Sequence, residues 1–549
     1  MLLKEYECYL CFERDASLNP CCNGMLLKEH LHFIINNLNF CLNPCCNGML
    51  LKENIQNMSV YSYHNFMFPF QWRIKGYDNE TFSEQINLKN IQYAHGSNWE
   101  RMVKPESDDE RNELYNERNY FYEFVHDALY DNGKDNSLIR HFERSETKND
   151  DVHYVIDSDK GKYCLKVNAI NLNLYSTGVG VLSFYLYNET YPKPEDVLKI
   201  NQVGRRVFPP FIASVANRGI IAKSIEITGL HGRGQGYRED FCSYTNKTPS
   251  NQPAALITDM IHEVATNVVL KPVIDDRMFV QCWYKNDEWT KEFSSEETYQ
   301  GFLNSSQWYE FVFVDDLNGM SCQNKNMQQE IIKNATYERW QKWCSLYGVS
   351  RYSMVYLTHK STETDAPFLF SYFETMYARM AELILVEKAS VLRFSAEVTN
   401  LSNMDVKSDF GRKVSSLYKE YIRFVNQIHF REVSAQDQGI ELYQKLYDVM
   451  NLKNHVEKLD DEIEELYNYV SLGEDRKTNS TMSLLTRIAT IAVPMTVIAG
   501  IFGMNNKILG EKDYYSCPIN NLLVQFTIVI VITVIVIFVI NIIEKRRLK

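Results

Sequence analysis

The chain has 549 residues, 45% apolar and 23% charged, a composition too rich in core-forming side chains for disorder and long enough for three or four domains. Acidic residues outnumber basic ones 70 to 58, for a formal net charge of −12, which argues against a broad nucleic-acid-binding face and favours cationic partners. A mean hydropathy of −0.34 excludes a chain embedded mostly in lipid but leaves room for one or two spans at an end.

Residues 1–57 carry an internal repeat. Leu18 to Glu29 reads LNPCCNGMLLKE, and Leu42 to Glu53 repeats it residue for residue, while the stretches between, Tyr6 to Ser17 and His30 to Cys41, differ. Packing constraints conserve an apolar pattern and let the rest drift, whereas equal blocks of identity and non-identity are how translated repeat DNA behaves. Seven of the thirteen cysteines fall here (Cys8, Cys11, Cys21, Cys22, Cys41, Cys45 and Cys46). A cysteine-rich metal module is the alternative, but the adjacent Cys-Cys pairs lack C-x-x-C spacing. Residues 1–57 are therefore expected to be mistranslated repeat DNA or a dispensable extension, with Met58 as the natural start. The six remaining cysteines are scattered, which suits a reducing compartment.

Residues 58–333 read as an α/β domain. Tyr163 to Asn168 and Gly178 to Tyr187 are rich in β-branched and aromatic residues and predict strands. Pro194 to Val207, with Pro at its start and carboxylates in its first turn, predicts a helix. Residues 334–433 read as the helical part of the same domain, with segments from Phe370 to about Thr399 and from Ser415 to Phe430. The many tyrosines and phenylalanines, without a basic stripe, read as core and interface.

A stalk helix is expected over 434–482. Val449, Leu452, Val456, Leu459, Ile463, Leu466 and Val470 are spaced alternately by three and four, a heptad seam. Such a seam suits either a long helix packed along parallel neighbours, as in a coiled coil, or one side of an ordinary helical bundle. With no Pro between Ser434 and Val493, one helix could run unbroken through the whole stretch.

Two apolar runs near membrane-spanning length follow, residues 483–502 and 522–543. The second is nearly all Ile, Val and Phe and suits lipid. The first carries Thr486, Arg487, Thr490, Pro494 and Thr496 among small residues, which suits close packing or a wet wall. Two spans cannot enclose a channel, so a pore would need an oligomer. The connecting segment, 503–521, is short, and the tail, 544–549, is basic (Lys545, Arg546, Arg547, Lys549); positive residues stay cytoplasmic, so both termini are expected inside and the loop outside.

The first run ends in Gly503-Met504-Asn505, and TRIATIAVPMTVIAGIFGMN closely resembles the CorA family of magnesium transporters. The layout from Ser434 to Lys549 follows the family too: stalk, first span, short loop, apolar second span, basic tail. The resemblance implies a homopentamer in the cell (inner or plasma) membrane, conducting Mg²⁺ or another divalent cation and binding Mg²⁺ as a regulatory ligand, with no enzymatic activity, no cofactor and no nucleic acid. Its selectivity filter falls on Gly503, Met504 and Asn505, with Asn505 meeting the metal through its hydration shell. Its pore-lining positions fall on Asn479, Met482, Leu485, Val493 and Thr496, and its loop acid on Glu511. The family carries a longer unbranched side chain where Val493 stands, and a Phe and a Met-Pro-Glu run after its GMN that this chain lacks. A zinc, cobalt or nickel transporter, an exporter, and a membrane-anchored scaffold remain the alternatives.

The chemistry of such a filter can be argued from the residues. Mg²⁺ dehydrates reluctantly, so a ring of neutral amides reaching its water shell is preferable to carboxylates that would hold it too tightly. Each Asn505 offers an acceptor and a donor. There is no Walker motif, and a dication crossing 100 mV gains roughly 4.6 kcal/mol from the potential alone. His231 to Gly236 (HGRGQG) reads as a surface turn, and His262-Glu263 lacks the second His of a zincin site.

Overall fold

The computed structural model describes residues 60–503, apart from 78–79, 95–97, 104–116, 149–150, 208–220, 231–236, 244–252, 275–276, 295–300, 316–320, 363–365 and 405–408, together with residues 527, 530, 531, 534 and 535. The repeat segment 1–57, the turn 231–236, Met504, Asn505, Glu511, the basic tail and most of the second apolar run lie outside the described residues. The chain divides into two compact units, Met1–Glu464 and Glu465–Lys549.

The first unit is built on a large sheet. Its strands are β1 (Ser62–Ile74), β2 (Trp99–Arg101), β3 (Ile139–Arg144), β4 (His153–Ser158), β5 (Gly161–Tyr175), β6 (Val179–Asn188), β7 (Ser224–Thr228), β8 (Tyr237–Asp240), β9 (Val268–Pro272), β10 (Phe279–Lys285), β11 (Thr336–Tyr337), β12 (Leu346–Val349) and β13 (Ser353–Thr358). The main path runs β11-β12-β13-β10-β1-β6-β5-β4-β7-β8, with β3 on β5, β2 on β3 and β9 on β1. Among the described residues only β10 and β13 pair in parallel. Antiparallel pairing follows from short connections such as the β5–β6 turn. There Gly178 takes φ +75°, and a Cβ at that position would come within 2.7 Å of Ile86 Cγ2. Only Gly meets both demands.

β1 is the central strand, paired along its length with β6 on one side and with β10 then β9 on the other. Its run of Phe66, Met67, Phe68, Phe70 and Trp72 is buried on both faces, as expected of a strand covered by helices. Pro69 falls where the β10 pairing has ended at Met67 and the β9 pairing has not begun at Phe70. Trp72 donates its N–H toward β6, so by alternation residue 69 faces the other side, where a missing N–H forfeits no ladder bond.

The longer helices are α1 (Pro194–Gly204), α2 (Ala255–Val264), α3 (Asp287–Ser294), α4 (Ser306–Phe313), α5 (Lys325–Ala335), α6 (Phe368–Glu374), α7 (Met376–Ser402), α8 (Phe410–Gln427), α9 (Asp437–Val449) and α10 (Leu452–Gly503). The expected strand Tyr163 to Asn168 lies within β5, the expected strand Gly178 to Tyr187 falls on β6 except for Gly178 in the turn before it, and α1 starts at Pro194 with Glu195 and Asp196 in its first turn, as read. Tyr63, Trp283, Tyr347, Tyr356, Phe370 and Phe373 form one aromatic cluster where α6 meets the sheet, so these rings are core.

Three sequence expectations need correction. The stretch read as helical from residue 334 opens with β11, β12 and β13, because LYGV and SMVYLT are short β-prone runs that complete the sheet beyond β10. The helix read from Phe370 is interrupted at Thr375, which separates α6 from α7. The helix read as continuous from Ser434 is two, α9 and α10, parted at Asn451 with φ +53°, a left-handed conformation that Asn tolerates better than most residues. The heptad seam is also resolved over its first half. Leu452, Val456, Leu459 and Ile463 are buried within the first unit, so there the seam is one side of a helical bundle in a single chain.

Candidate functional site

The second unit's described residues are almost all helix, the continuation of α10 to Gly503. Its large apolar side chains stand out in the open: Met482 is 57% exposed, Leu485 55% and Val493 58%, and Leu484 and Ile488 are similarly bare. An isolated helix with such a surface needs a cover of lipid or of other protein chains.

Three threonines shape the polar character of this stretch. Thr486 Oγ1 donates to Met482 O at 2.7 Å, Thr490 Oγ1 to Thr486 O at 2.6 Å, and Thr496 Oγ1 to Ala492 O at 3.0 Å and Val493 O at 2.9 Å. Each hydroxyl proton is spent on the helix's own backbone, which makes Thr tolerable in apolar surroundings. What remains on the outer side of each oxygen is acceptor capacity, the kind that faces a cation or its water shell.

The five expected pore-lining positions that are described, Asn479, Met482, Leu485, Val493 and Thr496, all lie on α10 and are all exposed. At about 100° per residue they fall within an arc of about 120°, one face of the helix, and Asn479 to Thr496 spans about 26 Å. That rise approaches the roughly 30 Å of a bilayer's hydrocarbon core. Gly503 is the last residue of α10. Met504, Asn505 and Glu511 lie outside the described residues, so the filter and the loop acid stand as expectations.

By the length and apolarity a membrane crossing requires, no helix among the described residues qualifies as a span. Nor do the described residues bring three or more His, Cys, Asp or Glu side chains together in a way that could hold a metal ion. The stalk carboxylates Asp460, Asp461, Glu464 and Glu465, which the resemblance offers as ligands of a regulatory ion but which read more readily as a solvated helix face, are all exposed on α10. The HGRGQG turn is not described, and His262-Glu263 is structural: Glu263 accepts from Arg144 at 2.6 Å, and the His262 ring bonds Val268 O.

Sequence reasoning missed a set of charges buried along α7. Glu382 is buried against Tyr175, Asn173 and Arg379, and burial pushes its carboxyl above the usual range despite the Arg379 guanidinium. Glu387, fully buried, accepts from Tyr443 OH at 2.7 Å and pairs with His429 Nδ1 at 2.8 Å, and burial raises it likewise. Arg393 is sandwiched between the rings of Phe82 and Phe394, 4.1 and 4.3 Å from their centroids. The signal was present in MYARMAELILVEKASVLRFSAEV, where charges sit at positions that the apolar pattern assigns to the core.

Residues 361–546 match the family model described as CorA-like Mg²⁺ transporter protein. The match covers about a third of the chain and includes the GMN-bearing segment. The complete structure of the CorA magnesium transporter from Methanocaldococcus jannaschii is also similar, at 14% identity over 50% of this chain and 92% of that one, with a TM-score of 0.19. No curated protein matches the chain significantly.

Proposed function

We propose that this chain is a CorA-type divalent cation transporter that moves hydrated Mg²⁺ down the membrane potential. The observation that carries the reading is the coincidence, on one helix, of the family match with a bare face on which acceptor oxygens alternate with apolar side chains. A second copy of the same helix, and not water, is the cover such a face suits best. In this reading α10 lines the pathway from Asn479 onward, the second apolar run shields it from lipid, and five copies close the ring. Asn505 of each copy meets the cation's water shell at the outer mouth, and Gly503 lets the backbone approach there.

Lower in the pathway Met482 and Leu485 supply apolar rings, where a pore can close by losing its water. Thr496, its proton spent on the backbone, offers oxygen to the hydrated ion as it passes. Regulatory Mg²⁺, as the family resemblance implies, would bridge carboxylates between neighbouring copies. The large first unit lies on the cytoplasmic side in this arrangement, as do both termini.

The test is flux. Purified protein in liposomes, with an Mg²⁺-sensitive dye inside and an imposed potential, should take up Mg²⁺, and Asn505→Ala should abolish selective uptake. Absence of flux from the intact protein would favour a membrane-anchored scaffold. A competition series of divalent cations in the same vesicles separates magnesium from zinc, cobalt and nickel.

A further inference from the structure

The joint between α9 and α10 is held by a small group of cations. α9 ends with the carbonyls of Val449 and Met450 without helical partners ahead of them, and Asn451 turns the chain at φ +53° before α10 begins. Arg351, from the β12–β13 turn, donates to Val449 O at 3.3 Å. Lys388, from α7, donates to Met450 O at 3.1 Å. Cations on the last carbonyls of a helix suit the negative end of its dipole. Lys388 makes one further contact: its Nζ lies 2.8 Å from Nδ1 of His455, in the first turns of α10. One lysine thus ties the end of α9 to the start of α10 across the turn.

That contact depends on the charge of His455. Nζ of a charged lysine only donates, so Nδ1 must be the bare, accepting nitrogen of a neutral imidazole. A protonated His455 carries hydrogen on both nitrogens and would set two cations at hydrogen-bond distance. The charged side chains that face it are Lys388 and Arg351, both positive. Asp448, on the last turn of α9, is occupied by Gln444 at 2.7 Å. The carbonyls of Met450 and Asn451 favour the protonated ring, but burial and the two cations outweigh them and hold His455 below the ordinary histidine range. Lys388 is held down to about 8 by burial and by Arg351, and so stays charged wherever His455 titrates. The position of His455 near the positive end of α10 acts in the same direction.

We propose that Lys388 and His455 form a proton-sensitive latch on the joint between α9 and α10, closed while His455 is neutral and released when it takes a proton. The sign follows from the depressed histidine: the latch contributes fully above the ordinary histidine range, and its contribution falls away as pH drops from there through the lower value of the latched ring. Because α10 also carries the candidate pathway face, the latch would couple acidity to the helix on which transport is proposed to depend, but its own existence needs no transport.

Hydrogen exchange of the full chain in detergent micelles tests it. With intrinsic exchange rates corrected, the amides of residues 451–456 should open severalfold more on going from about pH 7.5 to about pH 5. His455→Gln keeps an acceptor that does not titrate, and should stay protected and flat across the same range. Lys388→Met should be loose at both ends. A wild-type chain with no acid step, or a His455→Gln chain that keeps the step, would overturn the latch, whatever the liposome flux turns out to be.

Discussion

Leu459→Ala asks whether the seam at the start of α10 is packed within its own chain. Leu459 is 1% exposed, between Val456 and Ile463 on the buried side of the helix, and the helix meets α8 there through Tyr421, whose hydroxyl bonds Val456 O. Removing three buried carbons forfeits about 2.4 kcal/mol of transfer free energy at about 0.8 kcal/mol each. The cavity adds to this, because Ile463 and Val456 are fixed by the same helix and cannot both collapse into it, so the full cost should be about 3–5 kcal/mol. The assay is the denaturant midpoint of the full chain in detergent micelles, followed by tryptophan fluorescence. The loss should not change with protein concentration, since the partner surface belongs to the same chain. A cost below about 1 kcal/mol, or one that disappears on dilution, would refute intrachain packing and restore the coiled-coil reading of the seam.

Other expectations are equally direct. Gly178→Ala forces a side chain into φ +75° and onto Ile86, and should cost at least about 1 kcal/mol in the same denaturation assay. Glu387→Ala leaves His429 Nδ1 without its carboxylate partner while Tyr443 OH keeps Phe430 O as an acceptor, and should cost about 2 kcal/mol, whereas Glu387→Gln should recover part of that. Thr496→Val removes an outward acceptor while leaving an exposed helix position filled, so helicity by circular dichroism should be unchanged while Mg²⁺ flux in liposomes falls severalfold.

How far the sequence could be read depended on whether the deciding contact was local. β5, β6 and α1 were legible because β-branched and aromatic enrichment and a helical pattern, together with Pro194 and its acidic first turn, are local signals. β11 to β13 were not, because a two-residue strand and a four-residue strand carry little pattern, and β13 joins β10 across more than sixty residues of chain. Neither Thr375 nor Asn451 is a Gly or Pro, so the breaks before α7 and α10 had no punctuation. The heptad seam was seen, but three-four spacing describes a coiled coil and a bundle face equally, and only the burial of Leu459 and Ile463 tells them apart. At the candidate site the family resemblance supplied Asn479, Met482, Leu485, Val493 and Thr496, and α10 carries all five on one face. That the threonine protons are spent on the backbone could not be read, since it depends on side-chain rotamers.

The central claim is that an amide ring at Asn505 selects a hydrated dication. The most direct measurement is Mg²⁺ uptake under an imposed potential by liposomes carrying either the natural chain or Asn505→Ala, at matched protein density and oligomeric state. Selective uptake by the first and its loss in the second is the predicted result; equal uptake by both would contradict the claim.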